Sequence, residues 1–211
     1  MGYKQSERVA SRKQVRRRQI LEAAIALFGR LGYHAATVPL IVAEAGSSTG
    51  AFYLYFRNKE DVYVAVLNEL GERLSGVLHA AGAGETRTER KMRATVSAFV
   101  TWLTGNPPDA RILLEAATLG GRMEAVRRTI VESHMRSVSI ALEHVAPWFD
   151  EYERTVVARC WVGSVLEAAV GWMALPYEER LEPERLAAIV SDFTLRGAAL
   201  AAVADDPPGG E

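Results

Sequence analysis

The stretch TVPLIVAEAGSSTGAFYLYFRNK, residues 37–59, packs several helix boundaries into a short span. Thr37 is a sound N-cap for a short helix through Ala45, with Pro39 tolerated in its first turn and Gly46 closing it. Ser47 or Ser48 caps a second helix running to about Phe56, and Asn58 caps a third whose first turn holds Glu60 and Asp61 at its positive end. A short helix, a tight glycine turn and a second short helix have the dimensions of a helix-turn-helix, in which the second helix offers its N-terminal residues to a major groove.

The side chains fit that geometry. Phe52 and Phe56 share one helix face at i, i+4, leaving Thr49, Gly50, Tyr53, Leu54 and Tyr55 to point elsewhere. Phe28, Ile41, Phe52 and Phe56 are expected in the core by periodicity. Small residues at the helix start permit close approach to base edges, while tyrosine hydroxyls and a lysine suit phosphates.

Upstream, Ile20, Leu21, Ala24, Leu27, Phe28 and Leu31 follow the helical period, predicting a helix from Arg12 to Leu31 that Gly32 ends. Downstream, the helix that Asn58 caps continues through Leu70 and Leu78 until Ala80 to Glu85 breaks it. Helices are expected at Thr88 to Thr104, from Asp109, at Arg122 to Val145, at Asp150 to Ala174 and at Pro183 to Ala204. No β pattern stands out. The expected fold is all-α with about nine helices, divided into 1–60 (arm and helix-turn-helix), 61–204 (effector binding and dimerisation) and a disordered polar tail, 205–211.

Charge separates the two ends. Up to Lys59 there are ten basic residues against three acidic ones, a formal +7, so a chain of net charge −1 carries −8 in its remainder. A basic front end on an acidic body points to a polyanion met only by the first quarter. The run Arg16, Arg17, Arg18 reads either as a solvated helix face or as a phosphate contact by one of its members.

Other classes lose support. Hydrophobic residues at 49% and charged ones at 24% describe a globular chain of 211 residues. Cys160 is the sole cysteine, and His34, His79, His134 and His144 show no metal-ligand spacing, so no metal or cofactor is expected. No nucleophile elbow, P-loop or dinucleotide fingerprint supports an enzyme. The opening residues lack the apolar core of a signal peptide, and the most apolar stretch, Cys160 to Pro176, is short and contains Glu167, reading as a buried helix and not a membrane span. A cytoplasmic location follows. Gly2 and Ser6 match the loose myristoylation pattern, and the competing reading is a lipid- or membrane-surface-associated helical adaptor without DNA binding.

Ile20-Leu21-Glu22-Ala23-Ala24, Leu27-Phe28, Gly32-Tyr33, Thr37-Val38, Ile41, Ala45-Gly46, Ser48, Gly50, Tyr53, Phe56 and Asn58-Lys59-Glu60 resemble the N-terminal signature of TetR-family transcriptional regulators, over about residues 15 to 70. The resemblance implies an all-α homodimer with N-terminal DNA-binding domains and larger effector-binding, dimerising C-terminal domains. It carries Thr37, Ser48, Thr49, Gly50, Tyr53, Leu54, Tyr55 and Lys59 onto positions that meet double-stranded DNA in the family. Ser47 and Thr49 depart from the residues common there, so base preference does not transfer, and Pro39, Leu40 and Leu54 depart at positions where the family's second helix meets phosphates, so those contacts do not transfer either.

The last two helices place Trp161, Val165, Ala168 and Trp172, then Ile189, Phe193, Gly197 and Leu200, on apolar faces that suit a twofold four-helix bundle. Candidates for the pocket of an unknown small-molecule effector are Phe99, Trp102, Leu103, Leu114, Met123, Met135, Val138, Cys160 and Trp161. Arg111, Glu115, His134 and His144 are available to orient its polar end or to serve as surface and capping residues. Tryptophans and methionines suit a hydrophobic effector, and Asp109 to Glu115 resembles regulators of lipid metabolism without naming a ligand.

Overall fold

The computed structural model describes residues 2–200, with side chains from 13 to 199. These residues form nine α-helices and no strand: α1 Gly2–Ala35, α2 Val38–Glu44, α3 Thr49–Tyr53, α4 Lys59–Ala83, α5 Thr88–Gly105, α6 Pro107–Glu115, α7 Gly121–Val145, α8 Glu151–Ala174 and α9 Pro183–Leu200. The all-α expectation holds. The expected tail 205–211 and the end of the last helix lie outside the described residues.

Local chemistry places the boundaries. The Thr37 hydroxyl accepts from Leu40 N at 3.5 Å, Ser48 Oγ from Ala51 N at 3.1 Å and Asn58 Oδ1 from Asp61 N at 2.8 Å. Each satisfies an N–H that a helix start leaves without a partner. Gly46, at φ 55°, turns the chain from α2 towards α3 in a region that residues with a Cβ avoid. Asp150 and Glu153 form a reciprocal capping box at α8.

Some boundaries differ from expectation. α1 starts at Gly2 and not at Arg12, because residues 3–19 contain neither glycine nor proline. It passes through Gly32, whose φ of 79° breaks the helical geometry as foreseen, and one more turn follows. α3 stops at Tyr53, short of Phe56, where Leu54 N bonds back to Ala51 O and tightens the turn.

Two compact units result, 1–71 with 106–128 and 72–105 with 129–211. The expected line between 60 and 61 falls inside the first unit, and nothing in periodicity announced that 106–128 would join the N-terminal residues. Packing supplies the reason. Gly29 of α1 lies so close to the Pro108 ring of α6 that a Cβ there would overlap it. The Tyr63 hydroxyl of α4 donates to Ile112 O of α6 at 2.9 Å, and Tyr63 meets Phe28 and Tyr33 edge to face.

In the second unit α5 and α8 both pack on α9. Burial within α8 is confined to the stripe of Ala158, Trp161 and Ala169, which corrects the expectation of a buried helix. Val156, Cys160, Gly163 and Val170 are exposed on its other faces. Among the described helices α8 alone has the length and apolarity of a membrane span, and Arg159 and Glu167 interrupt it.

Candidate nucleic-acid interface

The interface is built on a hydrophobic floor. Ile20, Ala24, Leu27 and Phe28 of α1, Ile41 and Val42 of α2, Phe52 of α3, Phe56, and Val62 and Val66 of α4 are all buried. With Phe52 and Phe56 turned inward, the other face of α3 is left outside. Tyr53 is 56% exposed and Leu54 79%, an unusual share for large apolar side chains. Thr49 and Gly50 are exposed at the start of the helix, and no atom lies within 4 Å of a Cβ built at Gly50. Tyr55 is half-buried beside them.

Three of the sequence candidates also hold structure. Thr37 and Ser48 are exposed, and their hydroxyls accept the capping N–H groups of α2 and α3. Lys59 is half-buried. Its Nζ donates to Tyr33 O at 2.7 Å and His34 O at 3.3 Å, and sits 4.2 Å from the centre of the Tyr33 ring. Burial lowers the Lys59 pKa, opposed by the charge of Glu115. Two of the three ammonium hydrogens are thus spent on the end of α1.

Periodicity did not reveal what steadies this surface. Arg16 Nη1 donates to Gly46 O, at the turn between α2 and α3, at 3.3 Å. The Arg17 guanidinium lies over the Phe56 ring, 5.4 Å from its centre. Arg18 points to carboxylates instead, bonding Glu22 and Glu69 at 2.8 Å each. From α6, the Glu115 carboxylate accepts the Tyr33 N–H at 3.1 and 3.2 Å, while Arg111 donates to Arg30 O at 3.3 Å. Both polar groups are therefore engaged at the end of α1.

The expected pocket residues divide between the units. Leu114 and Met123 lie in the first; Phe99, Trp102, Leu103, Met135, Val138, Cys160 and Trp161 lie in the second. Phe99, Trp102, Leu103, Met123 and Trp161 are buried, Leu114, Met135 and Val138 half-buried, and Cys160 is exposed. His134 Nε2 is buried without a hydrogen-bond partner, and burial lowers the imidazole pKa. Of the bundle candidates, Trp161 is buried, and Val165, Ala168 and Trp172 are half-buried. Ile189, Phe193 and Gly197 are exposed, with Phe193 at 67%. The side chain of Leu200 lies outside those described.

Residues 20–66, which run from Ile20 of α1 through α2 and α3 into α4, match the family model for bacterial regulatory proteins of the tetR family. The chain carries a TetR-family domain. It is 41% identical over 51 residues to the fatty acid metabolism regulator protein of Bacillus subtilis, covering 24% of this chain and 26% of that one. It is 33% identical over 100 residues to the transcriptional activator FasR of Mycolicibacterium smegmatis, covering 47% and 46%. The chain thus spans about a quarter to a half of the length of these curated relatives, which are regulators and not enzymes. A solved TetR-family regulatory protein from Rhodococcus RHA1 superposes with a TM-score of 0.69 at 25% identity, covering 86% of this chain and 95% of that one.

Proposed function

We propose that this TetR-family protein is a ligand-responsive transcriptional regulator, a repressor, which binds a palindromic operator in double-stranded DNA as a homodimer. The single observation that carries the reading is the exposure of Thr49, Gly50, Tyr53 and Leu54 on a helix whose opposite face is buried. Thr49 and Gly50 meet base edges, and Tyr53 and Tyr55 the sugar-phosphate backbone. Thr37, Ser48 and Lys59 fix the elements that present them, with the remaining Lys59 hydrogen available to a phosphate. Residues 1–60 serve as the DNA-binding domain and 61–204 as the effector-binding and dimerisation domain, in the cytoplasm.

Dimerisation runs through the open faces of α8 and α9, where Ile189, Phe193 and Gly197 are exposed. Two copies of α3 then enter successive major grooves, about 34 to 36 Å apart when half-sites are one turn apart. A small hydrophobic effector in the second unit, among Phe99, Trp102, Leu103 and Trp161, favours a spacing that no longer fits and releases the DNA. Couplings of this kind are typically about 1 to 3 kcal/mol, or roughly 5- to 150-fold in affinity. A gel shift against genomic fragments tests the reading. Retarded, salt-sensitive complexes support it; binding to anionic liposomes with no retardation of DNA refutes it.

A further inference from the structure

We propose that Arg16 and Arg17 form a second phosphate-gripping element, contributed by α1 next to the chain segments that enter and leave the recognition helix. The inference rests on the DNA-binding reading and adds a surface outside the helix-turn-helix itself.

Ile20, Ala24, Leu27 and Phe28 make the buried stripe of α1, and Arg16 and Arg17 stand four and three residues before Ile20, on the same face. Where α1 runs past the hydrophobic floor, the face that packed against the helix-turn-helix turns cationic. Arg16 reaches Gly46 O in the turn that leads into α3. Arg17 covers Phe56, which follows α3 in the chain. One guanidinium therefore contacts the turn before the helix that would enter the groove, and the other contacts the segment after it.

The three neighbouring arginines are not equivalent. Arg18 is neutralised by Glu22 and Glu69, whereas no described carboxylate pairs with Arg16 or Arg17. A guanidinium carries five N–H donors in a planar fork. Arg16 commits one to a long bond, and the Arg17 guanidinium lies over an aromatic ring. Both remain exposed. Forks of this kind recognise phosphate in bidentate fashion, and prior stacking limits the side-chain freedom lost on contact. A salt-bridged Arg18 would first have to surrender two carboxylates.

The test is the salt dependence of binding to a mixed-sequence DNA duplex, for which non-specific affinity is almost wholly electrostatic. Wild type is compared with R16Q, R17Q, R17K and R18Q, each shown to be folded by circular dichroism and thermal melting. Each phosphate contact contributes about 0.9 to the slope of log K against log salt. R16Q and R17Q are expected to flatten the slope by about that amount each, R17K to restore it, and R18Q to match wild type. Should R17Q fail to fold, R16Q decides alone, because only one long hydrogen bond is lost in it. Wild-type slopes in R16Q and R17Q, or a loss confined to R18Q, overturn the proposal and leave the DNA-binding reading standing. Absence of duplex binding by wild type, or Arg16-dependent binding to phosphatidylserine vesicles in its place, overturns both.

Discussion

Glu115, in α6, accepts the backbone N–H of Tyr33 with both carboxylate oxygens, across 82 residues of sequence. That N–H follows Gly32, where positive φ interrupts α1 and leaves the next turn without a helical partner. The carboxylate thus caps the turn that leads to Thr37 and α2. Glu115→Ala should strip the cap and lower stability by about 1 to 3 kcal/mol in denaturant unfolding, as for a charged hydrogen bond to backbone. Glu115→Gln, which keeps an acceptor oxygen, should cost less. Equal losses in both would show that charge alone matters.

Glycines at 29 and 50 should respond oppositely to a methyl group. Gly29→Ala drives a Cβ into the Pro108 ring, which is too rigid to yield, and should cost about 1 to 3 kcal/mol by overpacking. Gly50→Ala meets open space and should leave the melting temperature unchanged or slightly raised, while weakening operator binding by obstructing approach to the bases. Thermal melts beside gel shifts separate the two. A Gly50→Ala protein with wild-type DNA affinity would remove that position from the interface.

Acid sensitivity is predicted for Asp61. Its side chain accepts from Arg122 Nη1 at 2.9 Å and from Arg57 N at 3.2 Å, and these bonds, the Arg122 one foremost, hold its pKa below the ordinary aspartate value. The unfolded chain therefore binds a proton more readily than the folded one. Stability from this group is present above the unfolded pKa and is lost as pH falls through the folded value. Asp61→Asn should be less stable than wild type near neutrality, with the difference vanishing towards strongly acidic pH. A gap that persists at low pH would contradict the assignment.

Helix starts and the hydrophobic floor were legible in the sequence because both are local. Thr37, Ser48 and Asn58 cap helices as residue type suggested, and Phe28, Ile41, Phe52 and Phe56 are buried as periodicity required. Non-local pairings were not legible. Helical spacing places Glu115 and Arg111 on one face of α6, but nothing in that spacing says that the face meets the end of α1. Lys59 illustrates the same limit: residue type suited it to phosphate, while its ammonium is held by two carbonyls 25 and 26 residues away. The apolar run in α8 reads as core because composition cannot distinguish a face buried within one chain from a face left open.

That open face yields a prediction about assembly. Phe193, on α9, is 67% exposed, so on the proposed dimer reading Phe193→Glu places a charge in the interface and should shift the protein from dimer to monomer in light scattering. DNA affinity should fall with it, since one recognition helix contacts only half a palindrome. A variant that stays dimeric would relocate the interface.

The most direct test of the account is a binding-site selection from random duplex DNA with the full-length protein, followed by anisotropy titration of the selected sequence. A palindromic consensus is expected, bound with a Kd of about 10⁻⁸ M or tighter at physiological salt and altered at one symmetric position by Thr49→Ala. Failure to enrich any sequence, with no duplex retained even at low ionic strength, would contradict it.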